Sequence, residues 1–190
     1  PATGKALTAP LPQNDTQLLA YITSLTNSAT VSSQVLASYR QAAADEGRPT
    51  GAGDLMVEIY GDYAIRVHSV HYAGRLASEG KDVRFGTYAH ALKAPGHGVP
   101  HCADLPLLFG TYGLDYYKDK VGNGTAEAQL SASMAAALVS FAREPQATAF
   151  GAGTAWPRYT GPLANAVRMG EGSSGDVVVG GRNDAAHGQD

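Results

Sequence analysis

The most informative part of this sequence is Gly98-Val99-Pro100-His101-Cys102-Ala103-Asp104-Leu105-Pro106-Leu107-Leu108-Phe109-Gly110. It begins inside a segment, 94–100, with two prolines and two glycines, a composition that predicts a loop. Upstream, apolar residues alternate with the others over about 82–90, as they do in a β-strand. A strand followed by a histidine-bearing loop over 94–110 indicates a layered α/β fold.

Apolar residues at spacings of three and four predict helices on both sides of this stretch, over about 16–46 in two pieces, 54–78 and 126–142. Ser32 or Ser33 is expected to cap the second piece of the first region. The helix over 54–78 should bury a single stripe made of Met56, Ile59, Tyr60, Tyr63, Val67, Val70, His71 and Gly74. The helix over 126–142 shows Leu130, Met134, Leu138 and Phe141 on one face. The tail that follows is predicted to be irregular, apart from a short strand at Val177-Val178-Val179.

The composition excludes several classes of partner. Lys and Arg total 14 against 17 Asp and Glu, so the chain lacks the basic excess that binds nucleic acid or an anionic membrane. No stretch approaches the roughly 18 apolar residues of a membrane span. Cys102 is the only cysteine, so no disulfide can form within the chain. A small, neutral or weakly charged ligand is therefore expected.

The stretch 98–110 resembles the histidine segment of type-B carboxylesterases, the family of the cholinesterases and the larger fungal lipases, whose pattern reads roughly G-x-x-H-G-x-E-L-x-x-V-F-G. The helix over 54–78 and the strand precede it, and the helix over 126–142 and Trp156-Pro157-Arg158-Tyr159 follow it, in the order that this family has. Two positions depart from the pattern, because Cys102 replaces a Gly or Ala and Asp104 replaces a Glu. The resemblance covers about 16–160.

The resemblance implies that residues 1–190 are the C-terminal part of a single α/β-hydrolase domain. It also implies carboxylic ester hydrolysis by a Ser-His-Glu/Asp triad through an acyl-serine intermediate, with His101 as the catalytic histidine. The substrate would be a small-molecule ester, and no cofactor and no metal are implied. The alternative is a non-catalytic, cholinesterase-like module for binding or adhesion, since such domains keep the fold and lose members of the triad.

The catalytic serine of this fold lies in a G-x-S-x-G elbow, and the chain contains no such pattern. The nearest stretch, Gly172-Ser173-Ser174-Gly175, has the wrong spacing. One or two predicted strands are also too few for the sheet that the fold requires. The chain is therefore expected to be incomplete without an N-terminal chain that supplies most of the sheet, the serine, the acid and the oxyanion hole. The start at Pro1 rather than Met suggests a processed or nicked N-terminus.

Asp45-Glu46-Gly47 looks like the segment that carries the acid in this family, which commonly ends in Glu-Gly. It follows a predicted helix, however, whereas the family's acid follows a strand. Glu46 is therefore interpreted as a solvated helix end, and the true acid is expected upstream of Pro1. Asp104 is expected to have a structural role, either pairing with an Arg or capping the following turn.

The other histidines and the cysteine are weaker site candidates. His97 and His90, at the edge of the strand and loop, are possible pocket neighbours, although exposed loop histidines are more common. Cys102 is also a possible pocket neighbour, and it is interpreted as a small buried residue. His68 and His71 have a spacing that can bind zinc, but no further ligand is placed to complete a metal site.

Two sequons, Asn14-Asp15-Thr16 and Asn123-Gly124-Thr125, lie in polar stretches where a glycan can be accommodated. Both asparagines are therefore candidate glycosylation sites. Their presence favours a secreted, extracellular glycoprotein.

Overall fold

The computed structural model of the chain describes residues 10–93, 99–144, 149–150, 153–161, 166–171 and 176–179. The described residues form two compact units, one up to Val70 and one from His71 onward. The helices are α1 (Asp15–Thr26), α2 (Ala29–Asp45), α3 (Ala52–Gly61), a π-helical turn (Asp62–Arg66), α4 (Val67–Ser78), α5 (Leu105–Leu108), α6 (Lys118–Val121) and α7 (Thr125–Arg143). The strands are β1 (Gly86–Tyr88), β2 (Val167–Glu171) and β3 (Asp176–Val179).

The first unit begins with two helices that are capped by their own sequence. The side chain of Asn14 accepts a hydrogen bond from the backbone N–H of Gln17 at 3.0 Å and so starts α1. Asn27 ends α1 in the left-handed conformation, and the hydroxyl of Ser28 then caps α2. The predicted cap at Ser32 or Ser33 is therefore wrong, because the left-handed turn at Asn27 lets the next helix start earlier. Ser32 is buried inside α2, where its hydroxyl donates to the carbonyl of Ser28 at 2.6 Å.

One hydrophobic core joins α1, α2 and α3. Its buried members are Leu18, Ile22, Leu36, Ala43, Leu55, Met56 and Ile59. Each large aliphatic side chain that is fully buried contributes about 1.5–3 kcal/mol to the stability of the unit. The regular apolar spacing of α1 and α3 thus accounts for the packing of these three helices.

The predicted helix over 54–78 is interrupted by a π-helical turn between α3 and α4. Met56 and Ile59 are buried as expected, but Tyr63 and Val67 are 50% and 41% exposed. A π turn holds more residues than an α turn, so apolar positions that follow it leave the face set by α3. The prediction of a single buried stripe is therefore wrong beyond Tyr60.

Hydrogen bonds to α2 hold the π turn in place. Asp62, its first residue, accepts a hydrogen bond from the hydroxyl of Tyr39 at 2.7 Å. Burial raises the pKa of Tyr39 far above its usual range, and the charge of Asp62 acts in the same direction. Arg48 forms ion pairs with Glu46 and Glu58, which ties the end of α2 to α3.

The second unit contains a three-stranded sheet in the order β1-β2-β3. β1 pairs in parallel with β2, and β2 pairs antiparallel with β3. The strand predicted over about 82–90 is observed only over Gly86–Tyr88. One more hydrogen bond continues the pairing, because the amide of Ala89 donates to the carbonyl of Met169 at 2.8 Å. β3 coincides with the short strand predicted at 177–179, whereas β2 lies in a segment that was predicted to be irregular.

A β-bulge in β2 explains why the sequence did not reveal it. Gly170 has a φ of 83°, and the register of β2 against β3 shifts between Met169 and Glu171. A Cβ atom at Gly170 would lie 2.6 Å from Cβ of His90, so the strand approaches the segment after β1 very closely. A glycine flanked by Met and Glu does not give the alternation from which strands are predicted.

The backbone that leads into β1 accepts hydrogen bonds from the segment Trp156-Pro157-Arg158-Tyr159. The indole N–H of Trp156 donates to the carbonyl of Phe85 at 3.2 Å. The guanidinium of Arg158 donates to the carbonyls of Gly80 and Lys81 at 2.6 and 2.8 Å. These contacts align the segment before β1 with the rest of the sheet.

Helix α7 packs one face against the sheet and against α5. Leu130, Met134 and Ala137 are buried, whereas Leu138, which was predicted on the same face, is 49% exposed. Two clusters share this face, one of Leu107, Val121, Leu130 and Met134, and one of Ala137, Phe150 and Val167. None of the helices that the structure describes is long and apolar enough to cross a membrane.

Candidate active site

His101 lies in a series of turns between β1 and α5. The amide of Ala103 donates to the carbonyl of Pro100 at 3.1 Å, and the amide of Leu105 donates to that of Cys102 at 3.3 Å. The side chain of His101 is exposed, and no described residue is hydrogen-bonded to its imidazole. The imidazole is therefore accessible to solvent.

Cys102 is exposed and has a φ of 65°, so its interpretation as a small buried residue is wrong. The left-handed backbone turns the thiol outward directly after His101. A residue with a Cβ atom is strained in this conformation, whereas glycine is not. Glycine, one of the two residues that the family pattern has at this position, would relieve this strain.

Asp104 precedes α5 as its N-cap residue, but its side chain makes no capping hydrogen bond. Only its backbone carbonyl is used, which accepts from the amides of Leu107 and Leu108 at 3.1 and 2.9 Å. The expectation that the carboxylate caps the turn is therefore wrong. Among the described residues, no arginine forms an ion pair with Asp104 either.

The charge of Asp104 acts on the buried hydroxyl of Tyr88 in β1. Burial raises the pKa of Tyr88, and the charges of Asp104 and Glu127 raise it further. The hydroxyl oxygen of Tyr88 is inaccessible to solvent and has no hydrogen-bond partner among the residues whose positions are described. The pKa of Tyr88 is therefore raised mainly by its burial, and the two carboxylates add to the effect through their charge.

His90 is a packed residue rather than an exposed loop histidine. Its side chain is 12% exposed, and Nε2 lies 3.5 Å from Oε1 of Glu127 and 3.2 Å from the carbonyl of Val121. The contact joins the end of β1 to the start of α7. His97, the other suggested pocket neighbour, lies outside the described residues.

A family model described as the carboxylesterase family matches residues 7–177 of this chain. The chain belongs to the carboxylesterase family. Its membership confirms the resemblance found in the stretch 98–110 and implies an α/β-hydrolase fold and an activity in ester hydrolysis. No match was found among curated proteins.

In this carboxylesterase-family chain, α7 makes two polar contacts that were not predicted from the sequence. They are the contact of Glu127 with His90 and a hydrogen bond from the hydroxyl of Ser131 to the carbonyl of Leu107 at 2.6 Å. A partial signal was present, because a Glu three residues after a helix cap commonly bonds back to that cap. Glu127 does so, accepting from the amide of Gly124 at 2.7 Å.

The remaining candidate residues of the carboxylesterase chain lie apart from any cluster of ligands. His68 and His71 are exposed on α4, and no group of three or more potential metal ligands occurs in the described parts of the chain. Glu46 ends α2 and pairs with Arg48 at 2.7 Å, in keeping with its interpretation as a helix end. The sequon residues Asn14 and Asn123 are both exposed.

Proposed function

We propose that this chain supplies His101 as the general base of a serine carboxylesterase. The observation that carries the proposal is the position of His101 in the stretch 98–110 of a carboxylesterase-family chain, on the loop that follows β1. In α/β-hydrolases the catalytic histidine comes last in chain order, after the serine and the acid. No G-x-S-x-G pattern follows His101 in the 190 residues, which agrees with a histidine that comes after the serine in chain order.

The proposed reaction has two stages, acylation and deacylation of the serine. In the first, the serine oxygen attacks the ester carbonyl while His101 accepts the hydroxyl proton. His101 then gives that proton to the departing alcohol, which leaves an acyl-serine. In the second, His101 takes a proton from water, hydroxide attacks the acyl group, and the proton returns to the serine as the acid is released.

The serine, the acid and the oxyanion hole are proposed to come from an N-terminal part on another polypeptide. The 190 residues contain no G-x-S-x-G pattern. Two features of the described residues agree with a missing part: β1 pairs with β2 only, and the imidazole of His101 is open to solvent. Further strands along the free edge of β1 would extend the sheet and bring the elbow of the serine near the loop that carries His101.

Replacement of His101 in the assembled esterase tests the catalytic proposal. The His101→Ala protein should hydrolyse p-nitrophenyl butyrate with kcat reduced on the order of 10⁴-fold or more, as the loss of a triad member does. The matched control is His68→Ala, since His68 is an exposed histidine on α4. Equal activity of the His101→Ala and His68→Ala proteins would refute the role of His101, and the absence of turnover in the wild-type protein would leave the non-catalytic binding module as the function.

We further propose that the protein is secreted and glycosylated at Asn14 and Asn123. Both side chains are exposed, and a glycan on Nδ2 of Asn14 leaves its Oδ1 free to cap α1. Protein from a eukaryotic secretory host should lose mass on treatment with an amidase that removes N-linked glycans. The double variant Asn14→Gln, Asn123→Gln should not, and an unchanged mass of the wild-type protein would refute the proposal.

A further inference from the structure

Helix α7 carries two of the three polar or charged residues that are buried in the described chain, Glu127 and Ser131. They lie four residues apart, so they occupy the same face of the helix. Burying such groups costs free energy unless they are hydrogen-bonded, and an alanine at either position would pack without that cost. The hydrogen-bond and ion-pair partners of Glu127 and Ser131 therefore show which segments this face of α7 keeps in place.

Ser131 holds the segment that follows His101. Its hydroxyl donates to the carbonyl of Leu107 at 2.6 Å, and Leu107 is fully buried. The same carbonyl already accepts from the amide of Gly110 at 3.1 Å, so the hydroxyl is an additional attachment and not a substitute for a missing helix bond. Ser131 thus fixes α5 to α7 at one atom.

Glu127 holds the segment that precedes His101. Its Oε1 lies 3.5 Å from Nε2 of His90, which is also 3.2 Å from the carbonyl of Val121. Both neighbours are acceptors, so Nε2 carries the proton and donates. The amide of Lys93 adds a third link by donating to the carbonyl of Lys120 at 2.8 Å. The chain is therefore attached to α6 and α7 before residue 94 as well as after residue 104.

Short turn bonds connect the attachment at Leu107 to His101. The amide of Leu107 donates to the carbonyl of Asp104 at 3.1 Å, and the amide of Ala103 donates to that of Pro100 at 3.1 Å. With the bond from the Leu105 amide to Cys102, they form a nearly continuous ladder from residue 100 to residue 107. A shift of α5 on α7 is thereby passed on to the backbone of His101.

We infer that Ser131 and Glu127 are positioning residues for His101. Ser131 fixes Leu107, which follows His101, and Glu127 contacts His90, which precedes it, so that the imidazole is correctly placed for proton transfer. The inference rests on the proposed function of His101. A general base acts only within hydrogen-bond reach of its proton, and a misplacement of about 1 Å can cost on the order of 100-fold in rate. Neither residue touches the substrate or the reacting atoms.

The test compares Ser131→Ala with Ser140→Ala in the assembled esterase. Ser140 lies on the same helix and also donates to a backbone carbonyl, that of Ala137 at 3.0 Å, but it contacts Ala149 instead of the His101 segment. The fraction of active enzyme is first titrated with a fluorophosphonate ester, so that partly unfolded protein does not count as slow protein. kcat/KM per active site is then measured for p-nitrophenyl butyrate and ethyl butyrate.

The two esters share an acyl group and differ in how much the leaving alcohol needs a proton. A misplaced histidine should slow the ethyl ester more than the p-nitrophenyl ester, on the order of 100-fold against 10-fold. Glu127→Gln should give the same pattern. A role in folding alone would leave both rates per active site unchanged, because it changes only the number of active molecules.

Each outcome is decisive. A larger loss for the ethyl ester in Ser131→Ala and Glu127→Gln, but not in Ser140→Ala, supports the inference. Unchanged rates, equal losses for both esters, or the same pattern in Ser140→Ala overturn the inference. If His101→Ala loses activity in that case, the proposed function still stands. Full activity of His101→Ala overturns both.

Discussion

Replacing Gly170 by alanine should open the contact between β2 and the segment after β1. Two effects add at this position. The φ of 83° is unfavourable for any residue with a Cβ atom, and the new methyl group would lie 2.6 Å from Cβ of His90 and 2.8 Å from Cδ2 of Leu130. Cβ of His90 is bonded directly to the backbone, so the backbone of β2 or of residue 90 must move.

The size of the effect follows from these two contributions. The left-handed backbone costs about 1–2 kcal/mol for an L-residue, and overpacking at a well-packed site costs about 1–3 kcal/mol. Their sum, about 2–5 kcal/mol, corresponds to a change of roughly 30- to 5,000-fold in a local opening equilibrium.

Hydrogen exchange of the Ala89 amide measures that equilibrium directly, because this amide donates to the carbonyl of Met169 next to Gly170. Gly80→Ala is the matched control, since Gly80 has a φ of 77° but nothing within 4 Å of a Cβ atom. Its effect on the Lys81 amide should be only the backbone part, about 1–2 kcal/mol. Protection of Ala89 in Gly170→Ala within threefold of the wild type would refute the close approach.

Four further outcomes are expected. Tyr88→Phe removes a buried hydroxyl without a partner among the described residues, so it should raise the stability of the protein by about 1 kcal/mol in thermal denaturation; a loss of that size would reveal a partner. Cys102→Gly relieves a φ of 65° and should also stabilise by about 1 kcal/mol, and a destabilised variant would contradict the left-handed turn. The folded-state pKa of Tyr39 is raised, so its contribution to the free energy of unfolding is complete below pH about 10 and is lost above it, where only the unfolded state ionises. Tyr39→Phe should reduce this alkaline loss of stability in denaturant titrations. An identical dependence of stability on pH in the variant would contradict the raised pKa. The isolated 190-residue chain should show no cooperative thermal transition if β1 needs further strands, whereas a sharp transition would show that it folds alone.

The long helices could be predicted from the sequence because their cores depend on local periodicity. Helix α7 illustrates this, since Leu130 and Met134 are four residues apart and both are buried. The π turn could not be predicted in the same way, because a single extra residue per turn leaves Tyr63 and Val67 apolar but moves them to the surface. A pattern of apolar residues does not distinguish these two cases.

The candidate site could be predicted only in part, for a related reason. The stretch around His101 is contiguous, so its sequence alone indicates the family that the matched model later gives. The supports of that stretch are not contiguous: Ser131 lies 24 residues from its partner Leu107. Such a contact depends on how α5 packs on α7, and no local spacing encodes it. Glu127 alone carries a local signal, its bond to the helix cap.

The segment 156–159, which is hydrogen-bonded to the backbone before β1, also contains a spectroscopic probe. Trp156 is the single tryptophan, and its ring lies 5.1 Å from that of Phe150, inside the unit of His71–Arg182. Its fluorescence emission therefore reports on the sheet and not on the helical unit that precedes it. Far-UV circular dichroism, by contrast, is dominated by helices of both units. If the isolated chain does show a sharp transition, coinciding midpoints in the two signals would show that the units melt together, and separate midpoints would show that each melts by itself.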